Sequence, residues 1–157
     1  MSTPDVYCID TNCILERGRN YPPAQFPTLW SRLESLITDG RLRASEEVLE
    51  ELERVDEDEP TAWAKSQKSL FVPLDLDQTN AVAQIQEEIP ELVDYRAKKS
   101  GGDPFVIALA LVRGYVVLTQ EKKSGPPSRP RIPNACERYK IRYVNLVGLM
   151  SAEKLIL

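Results

Sequence analysis

Val6-Tyr7-Cys8-Ile9-Asp10-Thr11-Asn12 decides the architecture of this chain. Its apolar run, Val6 to Ile9, is short and continuous, which reads as a first, buried strand. The strand ends in an acid, and Thr11 to Leu15 continues as a brief helical turn. A second strand-like run, Tyr115-Val116-Val117-Leu118-Thr119, is followed two residues later by Glu121. Between the two lies Asp103-Pro104-Phe105-Val106-Ile107-Ala108-Leu109-Ala110-Leu111-Val112, an apolar helix that opens on an acid and returns toward Tyr115.

The rest of the chain alternates in the same way. Phe26, Leu29, Trp30, Leu33, Leu36 and Ile37 recur at helical spacing, and Gly40 ends that helix. Tyr21-Pro22-Pro23 ahead of it is a loop. Arg41 to Ala44 reads as a short strand. Ser45 then caps a helix whose apolar stripe is Val48, Leu49, Leu52 and Val55. The acidic run Asp56 to Glu59 and Pro60 are expected to break it. Further helices are expected over Thr61 to Ser69 and from Asp77 to about Glu88. Ser100-Gly101-Gly102 reads as a turn, and Gly125 to Pro130 as a loop. A last strand, Ile141 to Val144, precedes a C-terminal helix. Strands alternating with helices predict an α/β fold: a three-layer sandwich around a mostly parallel sheet of four to five strands.

Bulk composition bounds the function. The 157 residues fit one domain, 1–157, and 42% apolar with 28% charged residues is ordinary for a soluble protein. No stretch approaches the roughly 18 apolar residues that span a bilayer, and no secretory signal is visible. Three cysteines without paired spacing read as reduced thiols, so a cytoplasmic protein is expected. There is no histidine, which removes Ser-His and Cys-His nucleophiles and most zinc sites. Catalysis must then run on carboxylates, hydroxyls, Lys, Arg or an oxygen-bound metal.

In a parallel α/β sheet, functional groups gather at the carboxyl ends of the strands. Asp10 and Glu121 both follow strands, and the helix opened by Asp103 starts at the same edge. A fourth acid comes from the helix after Ser45. At about 100° per residue, Glu51 falls roughly 90° from the centre of the apolar stripe, so it flanks the buried face. Each acid has a plain alternative when taken singly. Asp103 before Pro104 makes a good helix cap, and Glu121 beside Lys122 and Lys123 suits a solvated loop. Together they imply a shared cation, because clustered carboxylates repel one another.

These segments resemble the PIN-domain nucleases. The matching motifs are Ile9-Asp10-Thr11-Asn12, Ser45 to Glu51-Leu52, Asp103 to Ala108, and Val117-Leu118-Thr119-Gln120-Glu121. More narrowly, the chain is similar to a PIN-like family of small prokaryotic proteins long catalogued as uncharacterised, akin to VapC-like toxins. That likeness adds Tyr21-Pro22 with Trp30, then Trp63, and Ile132 to Cys136. The resemblance implies a parallel sheet between helices and one or two Mg²⁺ or Mn²⁺ ions held by Asp10, Glu51, Asp103 and Glu121. Asn12 and Thr119 would support these acids by hydrogen bonds. It further implies hydrolysis of RNA, an antitoxin encoded nearby, and a homodimer as a frequent state. The last acid is commonly Asp in the wider family and is Glu here, so its longer arm suits a contact through water.

An RNA backbone also needs positive partners. Arg17 and Arg19 follow Asp10, Lys98 and Lys99 precede Asp103, and Lys122, Lys123, Arg129 and Arg131 follow Glu121. Two rival readings remain. One is a PIN-like module that binds without cutting. The other is a haloacid dehalogenase-type phosphatase, which wants an acid where Asn12 stands.

Overall fold

The computed structural model describes residues 3–92, 103–123 and 130–157, with only the backbone of Asp103. Lys98, Lys99, the expected turn at Ser100-Gly101-Gly102 and most of the loop with Arg129 lie outside the described residues. Five strands form one parallel sheet: β1 (Tyr7–Ile9), β2 (Leu42–Ser45), β3 (Phe71–Val72), β4 (Val116–Leu118) and β5 (Tyr143–Val144). Their spatial order is β3-β2-β1-β4-β5. Among the described residues eight α-helices accompany them: α1 (Thr11–Leu15), α2 (Pro27–Thr38), α3 (Glu46–Val55), α4 (Asp58–Ser66), α5 (Leu76–Glu88), α6 (Asp103–Arg113), α7 (Ile132–Arg138) and α8 (Leu146–Ala152).

The chain winds outward from β1 to β3, crosses back over the sheet through α5 and α6, and continues through β4 to β5. Right-handed crossovers therefore put the first helices on one face and α5 and α6 on the other. Side-chain alternation agrees. Cys8 faces α6, its thiol 3.8 Å from the Val106 carbonyl, while Tyr7 reaches the opposite side. β1 and β4 are fully buried, and β2 is buried except at Arg43, as expected for strands covered on both faces. Gly40 and Gly114 take φ of +75° and +71° at the turns into β2 and β4, a conformation that costs other residues more.

Two expectations need correction. α3 does end at Val55, with Asp56 in the left-handed conformation after it, but the next helix starts at Asp58 rather than Thr61, because Asp58, Glu59 and Pro60 form its first turn. Acids suit the positive end of a helix, and a proline in the first turn loses no intrahelical bond. The helix that was to reach Ser69 stops at Ser66, and the residues after it turn into β3. That strand has no signature: it is two half-buried residues on an edge.

The C-terminus is pinned to the sheet. Glu153 accepts from Arg41 Nη1 and Nη2 at 2.9 and 2.8 Å and from the Tyr7 hydroxyl at 2.7 Å. Arg41 holds the Glu153 carboxyl below the usual glutamate range. Its stabilising contribution is thus complete above that range and is lost as the pH falls through the lowered value. Glu153→Gln is expected to cost about 2 kcal/mol at pH 7 in urea unfolding, because Arg41 would be left without its counter-charge in a half-buried position. The deficit should shrink toward pH 3.

Candidate metal centre

The reversal in strand order falls between β1 and β4, and the crevice at their carboxyl ends is where such sheets bind ligands. Register fixes the geometry: Ile9 lies opposite Leu118, and the Asp10 N–H donates to the Leu118 carbonyl at 3.0 Å. Asp10 and Thr119 are therefore adjacent at the mouth of the crevice.

Asp10 is 2% exposed. One carboxylate oxygen accepts the Asn12 backbone N–H, which makes Asp10 the N-cap of α1. The other accepts the Thr119 hydroxyl. Thr119 in turn accepts the Glu121 N–H at 3.1 Å, so a single hydroxyl ties Asp10 to the loop after β4. Support from Asn12 thus comes through its main chain. The capping role explains why α1 starts where it does. It does not explain why a carboxylate is buried among others.

Burial is the chief cause lifting the Asp10 pKa from 3.8 to about 7, followed by the negative charge of Glu121; Glu51 adds to it. Glu121 is also raised, again mainly by burial, while the Ile132 N–H and the charge of Arg131 oppose the shift. Both carboxyls are thus pushed toward the protonated form, each chiefly by burial. Glu51 projects from α3 and is 8% exposed, so the helical geometry did place it on the buried margin. Among the described residues no ion pair reaches Asp10.

Asp103 opens α6, whose first turn lies over β1 at Cys8. Its side chain is outside the described residues. The structure therefore puts Glu121 and Glu51 within electrostatic reach of Asp10, bonds Thr119 to it, and sets the Asp103 backbone at the start of a helix packed on β1. Glu121 has one oxygen 3.4 Å from the Ile132 N–H at the start of α7.

Oxygen donors of this kind suit Mg²⁺ or Mn²⁺ rather than a softer ion. The nearby thiols offer nothing to a metal. Cys8 and Cys13 point at the carbonyls of Val106 and Leu118, and burial raises both thiols far above their ordinary value. Thr11, directly after Asp10, keeps a buried hydroxyl oxygen without a partner among the described residues.

Sequence reasoning missed two polar residues. Glu16, 7% exposed, accepts from Asn20 Nδ2 at 3.1 Å and from Gln120 Nε2 at 3.3 Å. Gln120 also accepts the Leu146 N–H at 2.8 Å. The consecutive residues Thr119, Gln120 and Glu121 are thus tied to β1, to α8 and to α7 respectively. Gln120 lies inside a quoted motif and was findable, whereas Glu16 carries no signal of its own.

Two expected RNA contacts are spent elsewhere. Arg17 is buried, with its guanidinium 4.7 Å from the ring centres of both Trp30 and Trp63 and its Nε 3.0 Å from Glu59. Arg19 pairs with Glu57 at 2.8 Å. Both cations hold the segment after α1 onto α4, since their acids arrive from 38 and 42 residues away.

A family described as "Domain of unknown function (DUF4411)" matches residues 7–157. No curated protein matches the chain. Among solved structures, VapBC-1 from nontypeable Haemophilus influenzae is similar with a TM-score of 0.57 and 13% identity, covering 90% of this chain and 98% of that one. VapBC2 from Rickettsia felis, bound to a DNA fragment from its promoter, gives a TM-score of 0.53 and 14% identity over 89% and 98%. At such identities the likeness is one of fold: the parallel α/β sandwich is shared.

Proposed function

The chain belongs to the DUF4411 family, and from that premise we propose that it is a Mg²⁺- or Mn²⁺-dependent endoribonuclease, the toxin of a toxin–antitoxin pair. One observation carries the reading: a carboxylate 2% exposed at the sheet's crevice, facing two further acids with no cation paired to it among the described residues. Such a group is costly unless something else supplies positive charge.

Asp10, Glu51, Asp103 and Glu121 would hold the ion, and a bound metal would supply an activated water and neutralise charge at the reacting phosphate. The chain's own part is to orient these acids. Thr119 and the Asn12 N–H fix both Asp10 oxygens, which leaves the carboxylate one orientation. Thr119→Val is expected to weaken Mn²⁺ binding about tenfold with little change in fold, as loss of an outer-shell partner does. Titration of Mn²⁺ against thermal stability measures it.

The toxin reading is supported by the fold's likeness to the VapBC complexes, one of which binds its own promoter. It predicts an antitoxin encoded beside this gene. The test has two parts: purified protein with a mixed single-stranded RNA and Mg²⁺ or Mn²⁺, and expression in cells. RNA cleavage abolished by chelation, and growth arrest relieved by Asp103→Asn, are expected. RNA binding without cleavage would favour the non-catalytic module. Release of phosphate from a small monoester would favour the phosphatase.

A further inference from the structure

A crevice lined by carboxylates repels a polyanion, so some cation must meet the backbone on either side of the cut phosphate. Of the five candidate cations among the described residues, the structure pairs three elsewhere. Arg17 and Arg19 are bound to Glu59 and Glu57, and Lys123 is paired with Glu137 at 2.9 Å. Among the described residues that leaves two cations at this edge.

Lys122 is exposed, directly follows Glu121, and enters no ion pair among the described residues. Arg131 is exposed and precedes Ile132, whose N–H lies 3.4 Å from the Glu121 carboxylate. The Arg131 backbone is fixed by its own N–H donating to Asn134 Oδ1 at 2.9 Å, and its guanidinium makes no ion pair among the described residues. Its charge nevertheless reaches Glu121, opposing the rise in that carboxyl's pKa.

We propose that Arg131, assisted by Lys122, is the phosphate-binding subsite that anchors the RNA backbone beside the metal centre. This rests on the nuclease reading above. The guanidinium fork fits two oxygens of one phosphodiester, which a single ammonium cannot match, so Arg131 carries the contact and Lys122 adds charge. An anchor that acts alike on bound substrate and transition state changes KM and leaves kcat alone.

The experiment compares wild type, Arg131→Ala, Arg131→Lys and Lys122→Ala with a labelled mixed-sequence single-stranded RNA. Binding and cleavage are each followed over a series of salt concentrations. Lys68→Ala, an exposed lysine before β3, is the control and should behave as wild type. Arg131→Ala should raise KM about fivefold, keep kcat within about twofold, and reduce the slope of log affinity against log salt by about one. Arg131→Lys should restore the slope but only part of KM. An unchanged slope and KM in Arg131→Ala would overturn the subsite, as would a fall in kcat alone, which would mean that the residue acts through Glu121. If RNA is bound but never cut, the nuclease reading fails while the slope still decides the subsite. If no RNA binds, both fall.

Discussion

Asp10→Asn is expected to lower RNA cleavage by about a thousandfold or more and to abolish any rise in melting temperature with Mn²⁺. The substitution is nearly isosteric. An asparagine oxygen can still accept from Asn12 or Thr119, so the local backbone has no reason to move. What disappears is the charge at the centre of the acidic crevice. A variant that melts like wild type without metal, ignores Mn²⁺ and still cuts RNA would separate cleavage from this carboxylate. The metal-centre reading would then be wrong.

The same substitution should stabilise the metal-free protein at pH 8 by about 4 kcal/mol and have almost no effect at pH 4. The sign follows from the raised pKa. In the unfolded chain Asp10 loses its proton near 3.8, whereas in the fold it keeps it to about 7. Wild-type stability therefore falls as the pH rises between those values and levels off above the higher one. Asparagine cannot ionise and escapes the fall. Urea unfolding at pH 4, 6 and 8 in the presence of a chelator would read it. Parallel stability curves for the two proteins would show that the carboxylate is not held at a cost. The companion effect is that Mn²⁺ binding must displace the Asp10 proton, so its affinity should drop about tenfold per unit below pH 7.

Gain in stability from removing a functional acid is what a strained site predicts. The capping role of Asp10 survives as asparagine, since both are good N-caps. The two roles of this residue can therefore be separated by one substitution.

Most of the fold was legible because its decisive elements are local. β1 and β4 are uninterrupted apolar runs, and α2, α3 and α6 have clear apolar periods or long apolar stretches. The acids at their ends follow from topology once the sheet is known to be parallel. β3 was invisible because its two residues are held by pairing with Ala44 and Ser45, not by their own pattern. The start of α4 was placed three residues late because an acidic run with a proline, which does end α3, also makes a good first turn. Proximity in sequence misled most with Arg17. It lies seven positions after Asp10, yet it is claimed by Trp30, Trp63 and Glu59 from two other helices. No local pattern announces such a bond. Glu16 escaped for the same reason, its partner Gln120 lying 104 positions away.

The packing of Arg17 has a practical consequence. The chain has two tryptophans, and their rings meet edge to face at 5.3 Å beneath the same guanidinium. Intrinsic fluorescence therefore reports a single spot, where α2, α4 and the segment after α1 converge. The strand pair β4–β5 and α8 are dark to it. If unfolding followed by tryptophan emission coincides with that followed by far-ultraviolet circular dichroism, both sides of the sheet melt together. A lag between them would mean that the half carrying Glu121 opens on its own.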